Sequence, residues 1–377
     1  MTDIAIVGGG MGGLMLGRVL RVQGIDATVY DLDASPTERP QGGTLDLSEE
    51  HGQYALGVGE LTEEFRRRYR PGGDAIKIYD RAGSLLLDDP DDGSELHPEI
   101  DRVELRRMLL DSLDPQSIVW GKKATAVDTS GARPAVRFED GTTVDADLVV
   151  GADGAWSAVR PAVSPVRPEY SGNALVELLV PDADELHPGC AATVGTGTMV
   201  AMEDGRGVIC QRNGDGAIRV YASSLEGEAW LTGLRGLDRD AVKAELLGRL
   251  DGWSEELRRL IVEAEGEPIL RPMYQLPVGH RWDRVPGVTL LGDAAHLMTI
   301  YGGHGANLAL LDAARLGLMI AEEPADLERA LTRYEEELFP RSEEFAAQTA
   351  GNLDLFHGAD APRKLVEVFM QVRQLSA

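Results

Sequence analysis

The chain opens on an apolar run, Ile4–Val7, broken by the glycines of 8–13 and followed by Leu14, Met15, Leu16, Val19 and Leu20 at helical spacing. The unbroken run predicts a parallel strand covered on both faces, and the 3.6-residue period predicts a helix packed on it. Residues 27–30 form a second β-branched and aromatic run that ends at Asp31. Together these three pieces read as a βαβ unit. Alternating runs flanking Arg81-Ala82-Gly83 predict a hairpin over 76–87, and another is predicted across Glu139-Asp140-Gly141. Asp101 with Glu104 has the spacing of a capping box and predicts a helix through Leu113. Leu148–Gly151 reads as a further buried strand, ending in Ala152-Asp153-Gly154.

Between about 171 and 223 the pattern changes. Short runs at 175–180, 198–201, 207–211 and 217–222 are separated by Gly, Asn and Asp turns, which predicts an antiparallel sheet inserted into an α/β chain. Helices are predicted over 239–250 and 255–264, a strand over 288–291, and helices from Gly305 to the end. The basic run Arg66-Arg67-Arg68-Tyr69-Arg70 reads as a solvated helix face, with docking of a cofactor phosphate as the alternative.

Charge narrows the partners. Asp and Glu outnumber Lys and Arg by 63 to 37, for a net charge of −26 in 377 residues. Nucleic-acid affinity depends on neutralising phosphates with basic side chains, so nucleic acid and anionic membranes are excluded as main partners. Two cysteines, Cys190 and Cys210, cannot make a disulfide framework, and no metal-ligand spacing joins the seven histidines. No apolar run approaches the roughly 20 residues of a membrane helix, and Thr2-Asp3-Ile4 leads directly into a strand, so a cytoplasmic protein is expected. Nucleophile-elbow, phosphate-loop and HExxH patterns are absent.

The glycine segment carries the chemistry. Gly8-Gly9-Gly10-Met11-Gly12-Gly13 fits GxGxxG between a strand and a helix. Gly8 would make the tight turn, Gly10 let the backbone approach a pyrophosphate, and Gly13 let helix and strand pack closely. The helix N-terminus favours the anion, and Asp31 stands where a ribose hydroxyl needs an acceptor. Adenine-dinucleotide binding follows, with FAD and NAD both open at this point. Two more segments bear on that choice: Gly151-Ala152-Asp153-Gly154 with Ser157 and Arg160, and Gly292-Asp293-Ala294-Ala295-His296 followed by Gly302-Gly303-His304-Gly305-Ala306-Asn307. Asp293 at a strand end suits a polyol hydroxyl, and a helix start after the glycines would stabilise negative charge on a flat ring. A tight turn with a helix cap explains the glycines but not the aspartate.

In these motifs, taken in their order and spacing, the chain resembles the class A flavoprotein monooxygenases of the p-hydroxybenzoate hydroxylase fold. Within that group it is similar to the tetracycline-inactivating enzymes, through Gly42-Gly43-Thr44-Leu45-Asp46-Leu47, Pro98-Glu99-Ile100 with Arg102 and Arg106, and Gly292 to Met298. The resemblance implies a Rossmann-like FAD-binding domain over 1–74, 94–168 and 269–340. It further implies a substrate domain with an antiparallel sheet over 75–93 and 169–268, and a C-terminal bridging helical segment over 341–377. By position, Asp31 would bind the adenosine ribose, Arg39 would lie near the cofactor, Arg106 would face the flavin chain and Asp293 the ribityl chain. Asp46 and Asp153 count among the cofactor-binding residues, and Gly303, Gly305, Ala306 and Asn307 would line the ring. The implied activity uses FAD, NADPH or NADH, and O₂, through a flavin C4a-hydroperoxide, to hydroxylate or insert oxygen into an aromatic or polycyclic small molecule. Natural-product biosynthesis and antibiotic modification are the implied settings, and a monomer or homodimer the implied state.

Departures from the family pattern keep other readings open. Thr299-Ile300 and then Tyr301 stand where the family has two prolines, and His304 replaces a Gln or Leu. His304 is a candidate proton donor or base for substrate; a helix-start residue bonded to a carbonyl is the plainer reading. Leu32 takes the place of a basic residue, which leaves NADH against NADPH open. Val176, Arg219, Tyr221 and Tyr301 are the candidate substrate contacts, with Arg219 and Tyr221 on one strand face. A reductase, oxidase or cyclase on the same fold, or a non-catalytic flavin-binding protein, are the alternatives.

Overall fold

Ile4–Val7 is the central strand of a five-stranded sheet ordered Val288–Leu290, Leu148–Gly151, Ile4–Val7, Thr28–Tyr30, Ile118–Val119. The computed structural model describes residues 2–38, 42–91, 93 and 96–376. All pairings in this sheet are parallel, with Ile6 opposite Val150 on one side and Val29 on the other. All four residues of the first strand are buried, as a strand covered on both faces requires. The Met11–Val22 and His304–Glu322 helices pack so closely that a Cβ on Gly317 would stand 2.5 Å from Val19 Cγ1. A three-stranded antiparallel sheet, Thr143–Asp145, Ala135–Phe138 and Ala124–Asp128, turns at Gly141 with φ of 83°. These elements lie in one compact unit, Met1–Tyr69, Arg102–Glu169 and Tyr274–Thr349.

The second unit comprises Arg70–Asp101, Tyr170–Met273 and Ala350–Ala377. Its seven-stranded sheet is ordered Glu265–Gln275, Glu169–Val180, Ile218–Leu225, Arg206–Arg212, Thr198–Glu203, Ile76–Tyr79, Leu85–Asp89. The four predicted runs are all strands, longer than the pattern indicates. The sheet departs from a purely antiparallel one where Thr198–Glu203 runs parallel to Ile76–Tyr79, with Val200 opposite Ile78. The Glu265–Gln275 strand is not predicted because it contains Gly266, Pro268 and Pro272. Proline lacks a donor for the ladder, and an outermost strand tolerates that.

One face of this sheet carries Val176, Leu178, Val180, Ile218, Val220 and Ala222 into a core with Leu246, Trp253, Leu257 and Leu260. Those last four come from or adjoin the Arg239–Arg249 and Glu255–Val262 helices, close to the predicted ranges. On the other face Ile78, Val200 and Met202 pack under Leu365, Leu355, Phe356 and Phe369. The Arg102–Asp111 helix matches its prediction, but Glu104 is bound by Arg68 and Arg107, and Asp101 accepts from Gly214 N–H at 3.1 Å. Arg66 and Arg67 are exposed and pair with Glu63 and Glu64, as a solvated helix face does. Among the described residues no helix is long and apolar enough to cross a membrane, and no cluster of His, Cys, Asp and Glu could hold a metal ion.

Candidate cofactor and substrate sites

Four neighbouring parallel strands end in the four motif segments: Ile4–Val7 at Gly8, Thr28–Tyr30 at Asp31, Leu148–Gly151 at Asp153 and Val288–Leu290 just before Asp293. Ligands of open parallel sheets bind at this end, where loops diverge and helix N-termini converge. Gly8 has φ of 110°, and a Cβ there would lie 2.3 Å from the Ala152 carbonyl oxygen. A Cβ on Gly13 would stand 2.0 Å from the Gly8 oxygen, so helix and turn touch through backbone. A Cβ on Gly10 would meet nothing within 4 Å. That combination is a cradle closed behind and open in front, and it fits a pyrophosphate at the helix start.

Asp31 is buried, and both its oxygens are braced, Oδ2 by Gly9 N–H at 2.5 Å and Oδ1 by Asp33 N–H at 2.8 Å. Each oxygen keeps a lone pair, so a ribose hydroxyl still has an acceptor. Asp153 Oδ2 accepts from Ala158 N–H at 2.7 Å, while its buried Oδ1 has no hydrogen-bond partner among the described residues. Burial pushes the Asp153 carboxyl up despite bonds from Ser157, Ala158 and Val159. Arg160 ties two motifs together: it donates to the carbonyls of Ala155 at 2.8 Å, Ala294 at 2.7 Å and Asp293 at 3.1 Å. In the 292–296 turn only Asp293 is exposed.

Past that turn, Gly303 adopts a left-handed conformation with φ of 68° and starts the His304–Glu322 helix. Asp46 Oδ1 lies 2.9 Å from where a Gly303 Cβ would be, and Gly305 faces Asp293 Oδ1 at 3.8 Å from its own Cβ position. Ala306 is half-buried in the first turn. Asn307 is used differently from the expectation. Its Oδ1 accepts from Ser48 and Gly52 N–H at 3.0 and 3.1 Å, and its Nδ2 donates to the Asp46 carbonyl at 2.8 Å. Its amide therefore staples the 46–52 loop to the helix, leaving only backbone for a ring.

His304 packs on Phe345 with ring centroids 4.5 Å apart, and His51 meets the same ring edge-on at 5.3 Å. Burial, with the neighbouring His51, pushes His304 down to about 4, so it is neutral at physiological pH. Tyr301 is buried at 2% exposure and offers no open surface to a substrate. Arg106 is also buried, pairing with Asp33 at 3.8 Å and donating to the Pro36 carbonyl at 2.5 Å. It is committed to the loop after Asp31, while Arg102 is exposed. Arg39 lies outside the described residues.

In the second unit, strand parity separates the substrate candidates. Val176 pairs with Ala222 and is fully buried in the helix-covered core, so it lines no open face. Arg219 and Tyr221 point to the opposite side, where Tyr221 stands across from Glu177. Glu177 is one residue the sequence pattern did not reveal. Its side chain, 4% exposed, accepts from Arg219 Nη1 and from Arg271 Nε, each at 2.5 Å. Only the strand register could have shown that these three meet. Asp312, Arg341 and His296 were missed as well, although an aspartate in the apolar stretch Ala309-Leu310-Leu311-Asp312-Ala313-Ala314 is a signal in itself, because a buried charge needs partners.

A model of a family described as the FAD binding domain matches residues 1–180 and 278–349. The chain belongs to that FAD-binding family. Among curated relatives it is 28% identical to "Monooxygenase penA" of Penicillium thymicola, over 97% of this chain and 98% of that one. It is 28% identical to the FAD-dependent urate hydroxylase of Klebsiella pneumoniae (97% and 93%). The figure is 29% for 3-amino-4-hydroxybenzoate 2-monooxygenase PtnB3 of Streptomyces platensis (96% and 90%). Klebsiella pneumoniae HpxO, solved with FAD and uric acid, superposes with a TM-score of 0.82 at 22% identity over 99% and 93% of the chains. Tetracycline destructase Tet(51) gives 0.73 at 18% over 100% and 97%, which shows a shared fold. The chain is thus an oxidoreductase of that FAD-binding family, whose relatives are named FAD-dependent monooxygenases, with the FAD-binding fold that its sequence resembles. The open cradle at Gly10, the Asp153 Oδ1 without a partner among the described residues and the exposed Asp293 fit FAD.

Proposed function

We propose that the protein is an NAD(P)H- and O₂-dependent monooxygenase that hydroxylates, or inserts oxygen into, an aromatic or polycyclic small molecule. One observation carries the reading: Gly8–Gly13, Asp31, Asp153 and Asp293 gather at the carboxyl ends of adjacent parallel strands, the place a flavin dinucleotide needs. The relatives' names, which include a urate hydroxylase and an aminohydroxybenzoate monooxygenase, support an aromatic substrate class.

When bound, FAD supplies hydride acceptance from NAD(P)H and the activation of O₂. One oxygen atom enters the substrate, and the other leaves as water with the electron pair of the nicotinamide. The chain itself binds and orients. Its glycine turn and helix start hold the pyrophosphate, Asp31 accepts from the ribose and Asp293 from the ribityl chain. The start of the His304–Glu322 helix, with its unpaired N–H groups, stabilises negative charge on the ring. His304 stays neutral and, packed on Phe345, holds that helix start in place. Arg219 and Tyr221 are the substrate contacts this reading retains, in the company of Glu177 and Arg271.

The test pairs NADH and NADPH oxidation with mass spectrometry under ¹⁸O₂, across a panel of phenolic and polycyclic compounds. Label in the product, one atom per nicotinamide consumed, is expected. Nicotinamide consumption with all oxygen recovered as peroxide across the panel would favour an oxidase instead. That second reading draws on Thr299, which replaces a proline and whose buried hydroxyl has no partner among the described residues. Asp293→Ala is expected to purify without flavin; a fully yellow mutant would remove Asp293 from the site.

A further inference from the structure

A carboxylate with no solvent access lies at the middle of the His304–Glu322 helix. Asp312 is 0% exposed, yet all its partners are in place. Its Oδ2 accepts from Gly292 N–H at 3.0 Å and from His296 Nε2 at 2.6 Å, and its Oδ1 accepts from Arg341 Nη2 at 2.8 Å. From the same helix as Arg341, Tyr334 donates its hydroxyl to the Leu290 carbonyl at 3.0 Å, at the end of the strand that leads into this turn. Arg160 grips the carbonyls of Asp293 and Ala294 from the other side. Gly292 itself sits at φ of 57°, a conformation open to glycine for want of a Cβ.

Burying a charge is costly, and replacing a buried ion pair by apolar side chains of similar volume is often neutral or stabilising. The fold nonetheless keeps this one under the four buried residues that surround the exposed Asp293. We propose that Asp312, with Arg341 and His296, is a positioning group that latches the Gly292–Asp293 turn to two helices and thereby sets how tightly the flavin dinucleotide is held. The inference rests on the reading of Asp293 as a cofactor contact.

The latch has a charge state of its own. His296 faces Asp312 from one helix, Asp293 from its own turn and His280 from the segment beside it, while Arg341 binds the other Asp312 oxygen and Arg160 acts on His280 and Asp293. Burial disfavours its charge, but the Asp312 carboxylate, its hydrogen bond and Asp293 outweigh that and hold His296 above its ordinary value. Burial alone would raise Asp312; His296 and Arg341 outweigh it and hold the carboxyl below the usual carboxylate range. The contacts thus favour the ionised pair over the neutral one, and the pair loses its cation as pH rises.

The experiment measures the FAD dissociation constant of the deflavinated protein by flavin fluorescence quenching from pH 6 to 9.5, beside the melting temperature of each apoprotein. Asp312→Asn is expected to weaken FAD binding at least tenfold and Arg341→Met severalfold. His296→Gln, which can still donate to Asp312, is expected to stay within about threefold of the parent at pH 7 and to lose the alkaline rise in dissociation constant. A merely structural role would lower melting temperatures without flattening that pH profile. Folded Asp312→Asn and Arg341→Met proteins that both bind FAD within twofold of the parent would overturn the proposal; if Asp312→Asn does not fold, Arg341→Met decides alone. An unchanged alkaline rise in His296→Gln would remove His296 from the latch. Asp293→Ala is measured alongside. Normal FAD binding there, with loss in Asp312→Asn, would sink the reading of Asp293 and leave the latch acting on the Gly292 backbone.

Discussion

The two units meet their candidate ligands with different parts of the polypeptide. In the parallel-sheet unit, the phosphate contact is prepared by backbone, with an open Gly10 and a left-handed Gly8; side chains such as Asn307 and Arg160 are spent on bracing loops, and Asp31 and Asp293 are the candidate side-chain contacts. In the seven-stranded unit, the candidate contacts are side chains in a charged cluster, with one buried carboxylate gripped by two arginines. A phosphate chain is the same in every bound dinucleotide, and fixed N–H groups suit it. A substrate differs among relatives, and side chains on strands can be exchanged without moving the backbone.

The comparison breaks first, and by the largest effect, at Gly13. Gly13→Val places carbon atoms where the Gly8 oxygen already sits 2.0 Å from the Cβ position, so the turn must open. FAD affinity should fall by about 100-fold or more, roughly 3 kcal/mol, which a flavin titration reads; substrate-face variants should leave that titration unchanged. Glu177→Ala strands two arginines. Removing one partner of a fully buried pair costs about 3–5 kcal/mol, and the partial exposure of Arg219 and Arg271 puts this case below that, at about 1–3 kcal/mol. Denaturant melts should show the loss with FAD affinity intact, and a parallel loss of FAD would dissolve the distinction between the units.

Val176→Ala sharpens it further. With its side chain in the helix-packed core, a cost of about 1–2 kcal/mol from the cavity is expected, with KM for any substrate unchanged. A selective change in KM would return Val176 to the substrate side. A smaller effect belongs to pH. Because His296 is raised in the folded protein, its contribution is complete below its unfolded value near 6.5 and is lost as pH rises through the higher folded value. Apoprotein melting temperature should decline on that alkaline side. The smallest effect is expected of His304→Phe. At about 4, the imidazole is already neutral, so the pH profile of turnover between 6 and 9 should keep its shape; a lost limb would make His304 a proton carrier.

The βαβ unit was legible because its information is local: Ile4–Val7, the glycines and Asp31 follow one another in a single short stretch of chain. The segments around Asp153 and Asp293 were legible for the same reason, each being a strand end with its own turn. The Glu265–Gln275 strand was hidden by its prolines, which read as breaks in any ladder. The parallel join of Thr198–Glu203 to Ile76–Tyr79, with Val200 opposite Ile78, was hidden because nothing local to either strand specifies its partner.

The sequence by itself pointed to a dinucleotide cofactor and to the strand-end segments proposed to hold it, because a glycine turn, a strand end and a helix start keep their meaning wherever they are placed. Tertiary structure alone decided which side chains meet. It set Val176 against Arg219 by strand parity, committed Asn307 and Arg106 to loops, and gathered Glu177 with Arg219 and Arg271, and Asp312 with His296 and Arg341. The reason is physical: a buried charge is tolerable only beside its partners, and those partners come from distant stretches of chain that pairing and packing alone bring together.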